Sequence, residues 1–520
     1  MDRACSAPAA SFDALGDHGA PSEDLPAGVV FWRLRAMRAG APGASTSPSW
    51  EVVVPPRSAP LSTAWGAMLD ANGDGFGDVV VGDSDTFAAT AHVYVHHGGP
   101  QGPAPAPSTV LSATTPVAQY AASIASTGDL DGDGYADVAI GSPGEGVVYV
   151  HRGGAAGVSD STRSILVGPA KSGFGGAVSG AGDVDGDGYA DLVVGAPLQT
   201  AQGSIQSGAA TLFYGGPDGL TTSRATVLAV RSGSDAQAFA QFVSSAGDVD
   251  GDGLADVAVW GGMESSDPQY LHVYLGRALA GRPASAQPTA LLTFEGTSAS
   301  WLGDAELLAC AGDVDGDGYE DLVAASPVPP RSGFEPDHVS LFFGGPSGLP
   351  PVPSRRILGP LASADHFAIS LAALDADQDG YSDVGVATES GTAAPFSVDA
   401  LVYAGGQGGL SLVTTMTNTD VTTFLEREVG SAGDVDGDGY PDLFVAFPAR
   451  TTLLADAGAP AGDAGGAGDA GGAGDGGPVA LRGAVEIHAG GPGGAGVAAR
   501  WTLRPPDATA RAYGASLARP

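Results

Sequence analysis

The 520-residue chain has a net charge of −37, because 59 acidic residues outnumber 22 basic ones, and it contains 82 glycines and 38 prolines. This acidity disfavours nucleic-acid binding, which needs a basic surface, and the presence of only two cysteines excludes a disulfide framework. No stretch approaches the ~18 consecutive apolar residues of a transmembrane helix. Abundant turn residues without long helical periodicity favour an all-β fold.

The first 60 residues are predicted to form an N-terminal region separate from the rest of the chain. Residues 1–26 are polar and proline-rich, a composition typical of disorder. LPAGVVFWRLRAMRAG and SWEVVVPP then predict the two strands of a β-hairpin. This hairpin resembles the last two strands of a fibronectin type III-like module. In an alternative interpretation, Trp50–Val54 is a strand that closes the domain that follows.

From residue 61 to residue 520 a repeat dominates the chain. The nonapeptide D-V-D-G-D-G-Y-A-D at Asp183–Asp191 occurs in seven versions that begin 54 to 65 residues apart. Carboxylates at positions 1, 3, 5 and 9, with glycine at position 6, match a sharply turned calcium loop. An EF-hand would have a glutamate at position 12, but every copy has an apolar residue there and continues as a short β-branched run. Each loop is therefore predicted to lie inside a β-hairpin.

We predict about seven Ca²⁺ ions, one in each of loop 1 (70–78), loop 2 (129–137), loop 3 (183–191), loop 4 (248–256), loop 5 (313–321), loop 6 (375–383) and loop 7 (434–442). The side-chain ligands at positions 1 and 3 are Asp70, Asp129, Asp183, Asp248, Asp313, Asp375 and Asp434, then Asn72, Asp131, Asp185, Asp250, Asp315, Asp377 and Asp436. Those at positions 5 and 9 are Asp74, Asp133, Asp187, Asp252, Asp317, Asp379 and Asp438, then Asp78, Asp137, Asp191, Asp256, Asp321, Asp383 and Asp442. Position 7 contributes the main-chain carbonyl of Phe76, Tyr135, Tyr189, Leu254, Tyr319, Tyr381 and Tyr440. The ions are expected to be structural, and no catalytic residue is predicted.

Each repeat also contains four strand-like segments. The first precedes the loop and is rich in small residues, the second is the apolar run after the loop, the third ends at a Gly-Gly turn and the fourth is brief. Four strands repeated seven times predict a seven-bladed β-propeller of four-stranded antiparallel blades, with a calcium-binding loop in each blade. The small residues of the first strand would fit the crowded axis.

Two segments depart from this regular pattern. Residues 455–478 consist mainly of Gly, Ala and Asp, interrupt the last repeat between its second and third strands, and are predicted to be a flexible insertion. Residues 512–520 match the start of a further repeat without a loop. They either supply a strand that closes the ring or begin an eighth blade.

The succession of an FG dipeptide, the Asp-rich loop and a GAP turn, complete at 174–175, 183–191 and 195–197, resembles the FG-GAP repeat. That repeat builds the seven-bladed head of integrin α chains and occurs in many bacterial surface proteins. The resemblance covers about residues 64 to 518, although the other repeats replace the FG dipeptide. It implies that the ion loop joins the first and second strands of each blade, so that all the ions lie on one face. Retention of all seven loops favours the bacterial type.

The resemblance implies a calcium-binding adhesion or ligand-binding module rather than an enzyme. A protein or glycan partner is expected on the face opposite the ion loops, nucleic acid is not, and the chain is expected to be monomeric. A glycan-binding lectin remains an alternative, as does a phospholipase-like or polysaccharide-processing hydrolase with a site assembled from several blades. Because weak calcium loops fill only at extracellular calcium levels, we expect an extracellular or cell-surface protein. The N-terminus shows no signal peptide, so an export signal would lie outside this chain.

Three histidines on one predicted third strand are His92, His96 and His97. Strand periodicity places His92 and His96 on the same side and His97 on the other. No HExxH pattern or cysteine ligand lies near them in sequence. We therefore expect a feature of the blade surface rather than a zinc site.

Overall fold

The computed structural model of the chain describes residues 28–32, 35–38, 41–46, 50–54, 69–83, 91–113, 119–199, 208–230, 239–261, 269–294, 307–326, 338–359, 366–390, 396–421, 428–447, 484–505 and 513–518. Within these residues every regular element is a β-strand except one helix of four residues. None of the described helices has the length and hydropathy of a membrane span. The predicted all-β class is confirmed.

The N-terminal region contains four short strands, which are β1 (Gly28–Trp32), β2 (Arg35–Arg38), β3 (Ala41–Thr46) and β4 (Trp50–Val54). β1 pairs antiparallel with β4, and β2 pairs antiparallel with β3 between them. Trp50–Val54 therefore pairs within this region, and the alternative in which it closes the following domain is wrong.

The remaining strands form seven sheets, each built on four antiparallel strands. Blade 1 takes β5 (Val79–Asp83), β6 (His92–His96) and β7 (Thr109–Ser112). Blade 2 contains β8 (Ser123–Gly128), β9 (Asp137–Ser142), β10 (Val147–His151) and β11 (Arg163–Val167). Blade 3 contains β12 (Ala177–Gly182), β13 (Asp191–Ala196), β14 (Ala209–Phe213) and β15 (Ala225–Leu228).

Blade 4 contains β16 (Phe239–Gly247), β17 (Asp256–Gly261), β18 (Gln269–Tyr274) and β20 (Ala290–Phe294). The chain between β18 and β20 forms helix α1 (Gly276–Leu279) and the short strand β19 (Ser285–Ala286). Blade 5 contains β21 (Leu308–Gly312), β22 (Asp321–Ser326), β23 (His338–Phe342) and β24 (Arg355–Leu358). Blade 6 contains β25 (His366–Leu374), β26 (Asp383–Ser390), β27 (Phe396–Ala404) and β28 (Ser411–Val421). Blade 7 contains β29 (Val429–Gly433), β30 (Asp442–Phe447), β31 (Ala484–His488) and β32 (Trp501–Leu503), and β33 (Tyr513–Leu517) follows it.

The ring closes through the C-terminal strand. β33 pairs antiparallel with β5, with Leu517 opposite Val81, and so becomes the innermost strand of blade 1. The Tyr513 hydroxyl lies 2.9 Å from His96 Nε2 of the same blade. The C-terminal segment therefore closes the ring through Tyr513–Leu517 rather than beginning an eighth blade, and β33 pairs the inner edge of β5, which would otherwise be open. The predicted seven-bladed propeller is confirmed.

Packing between blades follows the sequence pattern. All residues of β9, β13 and β17 are buried, as expected for the apolar run after each loop. The innermost strands hold small residues because adjacent blades approach closely at the axis. A Cβ atom at Gly180 of β12 would lie 2.6 Å from the Ser126 carbonyl oxygen of blade 2, so this contact requires glycine.

Blade 3 gains a fifth strand that the sequence pattern did not predict. After α1, the short strand β19 leaves blade 4 and pairs in parallel with β15, with Val227 opposite Ser285. This pairing covers the outer edge of blade 3, where unpaired backbone groups would otherwise face solvent.

The loops and the connections after the third strands lie at one end of the propeller, which we call the loop face. The ends of the second strands define the opposite face. Insertion 455–478 lies outside the described residues, and its flexibility stays a prediction. The strands that flank it, β30 and β31, are antiparallel with Phe447 opposite Ala484, so their connection begins and ends at the opposite face.

Candidate metal centres

In blades 2 to 7 the ion loop joins the first and second strands, as loop 2 joins β8 to β9. Loop 1 instead leads into β5, whose inner partner is the C-terminal strand β33, so the hairpin predicted around loop 1 is wrong. Positions 4 and 6 adopt positive φ in all seven loops, which explains why glycine occupies nearly all of these positions. The exception is Gln378 at position 4 of loop 6, with a φ of 54°. This conformation is costly for a residue with a side chain.

The position-1 carboxylate organises each turn by accepting main-chain hydrogen bonds. In loop 3, Asp183 Oδ1 accepts from Gly186 N at 2.7 Å and from Asp187 N at 3.1 Å, and Oδ2 accepts from Gly188 N at 2.8 Å. The same three bonds occur in loops 1, 2, 5 and 7. The chain therefore wraps around this side chain.

The position-9 carboxylate has a second role that the sequence analysis missed. Asp191 Oδ2 accepts from Val184 N, and its Oδ1 accepts from Gly215 N at the turn after the third strand, both at 2.9 Å. The equivalent pair of bonds occurs in all seven blades. Its sequence signal is the recurrent glycine at that turn. Position 9 thus joins the loop to the second half of its own blade.

Carboxylates at positions 1, 3 and 9 converge. One oxygen from each lies within 4.8 Å of the others in loops 2 to 6, and the groups are Asp129–Asp131–Asp137, Asp183–Asp185–Asp191, Asp248–Asp250–Asp256, Asp313–Asp315–Asp321 and Asp375–Asp377–Asp383. In these groups the position-5 carboxylate is not included, and in loop 3 its Oδ1 accepts from Tyr189 N at 3.2 Å. Ligation by position 5 and by the position-7 carbonyl stays a prediction.

Several carboxylate oxygens in these groups lack any partner. Oδ1 is buried without a hydrogen bond in Asp185, Asp250 and Asp315 at position 3, and in Asp375 at position 1. A buried anionic oxygen without a partner is costly. Clustered carboxylate oxygens are the ligands that Ca²⁺ favours, and an ion there would supply the missing partner. The residues therefore fit a divalent cation.

The raised pKa values of the loop aspartates also favour a bound cation. Burial raises the pKa of Asp256 to about 8, of Asp442 to about 7 and of Asp183 to about 6, and neighbouring aspartates of the same loop act in the same direction. Main-chain hydrogen bonds to each carboxylate oppose the rise only in part. The protein alone stabilises these negative charges poorly, and a cation within the cluster would reverse the shift.

Adjacent loops are hydrogen-bonded to one another around the loop face. The position-8 N–H of each loop donates to the position-1 carbonyl of the preceding loop, as Ala190 N does to Asp129 O at 3.0 Å. This bond occurs at six of the seven blade junctions. At the junction of blades 6 and 7, position 8 is Pro441, which has no N–H. The loops thus form a ring of contacts between blades and share one face, as expected.

His96 of blade 1 has a structural role. His96 is fully buried, so its expected place on the blade surface is wrong. Its Nδ1 lies 2.8 Å from the Ala104 carbonyl oxygen and its Nε2 faces the Tyr513 hydroxyl, so both nitrogens are engaged. His151 and His488 make the same Nδ1 contact in blades 2 and 7. Burial lowers the pKa of all three, which favours neutral rings.

The loop geometry and the repeat agree with a known family. The family model described as the FG-GAP-like repeat matches residues 70–140, 129–194 and 248–324. The chain carries FG-GAP-like repeats. These matches start at the first ligand positions of loops 1, 2 and 4 and run into the strand after the next loop.

Proteins with similar FG-GAP repeats include integrin α chains. Integrin alpha-7 of Rattus norvegicus is 35% identical over an alignment of 146 residues, and the match covers 26% of this chain and 12% of that protein. Integrin alpha-IIb of Homo sapiens is 37% identical over an alignment of 147 residues, and the match covers 25% of this chain and 14% of that protein. The similarity therefore concerns a small part of each relative.

Among solved structures, a Bacillus licheniformis rhamnogalacturonan lyase covers 63% of this chain and 58% of its own, with 12% identity and a TM-score of 0.27. The exotype rhamnogalacturonan lyase YesX covers 59% of this chain and 53% of its own, with 12% identity and a TM-score of 0.26. These scores are too low to bear on the function of the FG-GAP propeller.

Proposed function

We propose that this protein is a calcium-stabilised binding module of the extracellular space or cell surface, used for adhesion or for capture of a protein ligand. The observation that carries the proposal is the convergence of three carboxylates in each of loops 2 to 6, together with a buried carboxylate oxygen that lacks a partner in loops 3 to 6. Because the same loops hydrogen-bond from blade to blade, an ion in each would hold neighbouring blades together. Calcium is thus a structural cofactor in this proposal.

Direct calcium binding tests this part of the proposal. Isothermal titration of the chelator-treated chain with CaCl₂ should give a total of about seven ions per chain. A parallel titration with MgCl₂ should show weaker binding, because Mg²⁺ demands a tighter octahedral shell. Absence of calcium binding at millimolar concentration would refute the proposed cofactor.

The opposite face is the proposed partner surface. The connections there vary widely in length, from residues 143–146 in blade 2 to residues 448–483 in blade 7. In blade 6, β26 and β27 have eight and nine residues, compared with six and five in β9 and β10 of blade 2. Variable connections on a rigid scaffold are where binding functions concentrate. The similarity to integrin α chains supports a protein ligand.

A binding screen separates the proposed module from the lectin and hydrolase alternatives. The calcium-loaded chain, which we propose is a monomer, is applied to an array of secreted and cell-surface proteins and to a glycan array. Calcium-dependent binding to proteins supports the proposal. Binding confined to glycans favours the lectin, and release of products from a polysaccharide or phospholipid would overturn the non-enzymatic assignment.

A further inference from the structure

The ion loops differ in the arginines that contact them. In loops 2, 4 and 7 one guanidinium contacts the position-3 carboxylate, and the pairs are Arg152–Asp131, Arg277–Asp250 and Arg500–Asp436. In each pair the aspartate side chain is nearly or fully buried. The arginine binds Oδ2, and in Asp250 the other oxygen, Oδ1, is buried without a hydrogen bond. These arginines neutralise part of the loop charge from its outer side.

Loop 3 has two arginines. Arg224, at the start of the fourth strand of the same blade, lies 2.9 Å from Asp187 Oδ2 through Nη2. Arg282, between α1 and β19 of blade 4, contacts both Asp185 and Asp187. The irregular excursion of blade 4 therefore delivers a second positive charge to the loop of the neighbouring blade.

Loop 6 differs most from loop 3 in its arginine contacts. Its four aspartates make no ion pair with an arginine in the part of the chain that the structure describes. Asp375 Oδ1 is buried without a hydrogen bond, and Oδ2 accepts a hydrogen bond of 3.2 Å from Gly380 N. Loop 1 has fewer carboxylates than loop 6, because Asn72 replaces one aspartate. In loop 5, burial raises the pKa of Asp315 and the nearby charge of Arg355 opposes that rise.

Charge counting then ranks the loops. With every carboxylate ionised, four aspartates and two arginines give loop 3 a formal charge of −2, whereas loop 6 has a formal charge of −4. A Ca²⁺ ion would leave loop 3 neutral and loop 6 at −2. A guanidinium on a ligand carboxylate repels an incoming cation through Coulomb's law and already satisfies one carboxylate oxygen. It also holds the loop together when no ion is bound.

We propose that these arginines act as built-in counter-ions that grade calcium affinity around the ring, with loop 6 the tightest site and loop 3 the weakest. The inference rests on the proposed calcium binding. Loop 6 also lies at the junction with blade 7, where Pro441 removes one hydrogen bond between loops. The contact between blades 6 and 7 is therefore the one that depends most on bound calcium. Loop 3 is instead held together by its arginines when calcium is low.

Hydrogen-exchange mass spectrometry of the full chain over a series of free calcium concentrations tests this ranking. Peptides that cover 375–383 should gain protection at the lowest calcium concentration, and peptides that cover 183–191 at the highest. Calcium-dependent protection that appears in all loops at one concentration would overturn the ranking. Absence of any calcium-dependent protection would instead refute calcium binding itself.

Substitutions assign the effect to the arginines. The double variant Arg224→Gln/Arg282→Gln should strengthen calcium binding at loop 3 by about tenfold or more, whereas Arg224→Lys/Arg282→Lys keeps the charges and should leave loop 3 weak. Arg163→Gln is the matched control, because Arg163 also starts a fourth strand but pairs with Asp160 outside the ion loops. The role of the arginines would be refuted if the calcium concentration that gives half-maximal protection of loop 3 were unchanged in the Gln double variant. It would also be refuted if that concentration shifted equally in the Arg163→Gln control.

Discussion

The two faces of the propeller differ in how strictly their geometry repeats. On the loop face, seven nine-residue loops share positive-φ positions, and in each the position-9 carboxylate accepts the same two main-chain hydrogen bonds. On the opposite face, the connections between second and third strands range from residues 143–146 to residues 448–483. Hydrogen bonds between blades repeat along the loops, so a change in loop length there would disturb two blades at once. Variation is tolerated on the opposite face because it leaves those bonds intact.

Removal of calcium is the largest expected perturbation of the loop face. Seven loops would each lose a ligand that binds only the folded state, and ligand binding stabilises a fold by mass action. We expect EDTA to lower the melting temperature by ten degrees or more relative to 5 mM CaCl₂, as measured by differential scanning calorimetry. Restoring excess calcium should recover the transition. An unchanged melting temperature would mean that the loops hold the ring without ions.

Two substitutions in loop 7 separate ion binding from main-chain bonding. Asp442→Ala removes the acceptor of Val435 N and Gly490 N, so two N–H groups at a buried carboxylate lose their partner, which costs about 4 kcal/mol. Asp438→Ala removes an exposed position-5 carboxylate that accepts from Tyr440 N, and it should cost about 1 kcal/mol. Urea unfolding at saturating calcium measures both. Equal losses would show that position 9 acts only as an ion ligand.

The sequence predicted these loops because their chemistry is local. Fixed Asp spacing and an apolar position 12 were enough to place loops 2 to 7 between two strands, whereas blade 1 takes its innermost strand from the C-terminus. Contacts from distant parts of the chain were not predictable in this way. Arg282 reaches Asp185 across 97 positions through an excursion that has no counterpart in the described parts of the other blades.

The position of His96 was also not predictable, because it depends on a contact from a distant part of the chain. Strand periodicity placed it on one side of the strand with His92, but the sequence did not reveal that this part of the blade packs against Tyr513, 417 positions away. The C-terminal strand likewise left two readings open until its pairing with β5 was known. Periodicity assigns residues to sides of a strand, whereas burial depends on which strand becomes the neighbour.

A proline on the loop face tests how much one bond between blades contributes. Ala255→Pro removes the N–H that donates to Asp183 O at 3.0 Å, which reproduces in blade 4 the interruption that Pro441 makes in blade 7. We expect a loss of about 1 kcal/mol. Ala255→Ser keeps the N–H, has the residue type of Ser382 at the same position of loop 6, and is the control. If both variants unfold at the same urea concentration, the bonds between loops do not contribute to stability.

The smallest effect is expected on the opposite face, from replacing insertion 455–478 with a short Gly-Ser linker. The linker still has to join Phe447 to Ala484, which lie opposite each other in adjacent strands, so blade 7 can keep its register. Loop-closure entropy changes only slowly with loop length, by about 0.6 kcal/mol for each doubling. The melting temperature should therefore shift by less than about 2 °C. A loss as large as that of Asp442→Ala would show that this connection packs on the ring, and stability would then not be confined to the loop face.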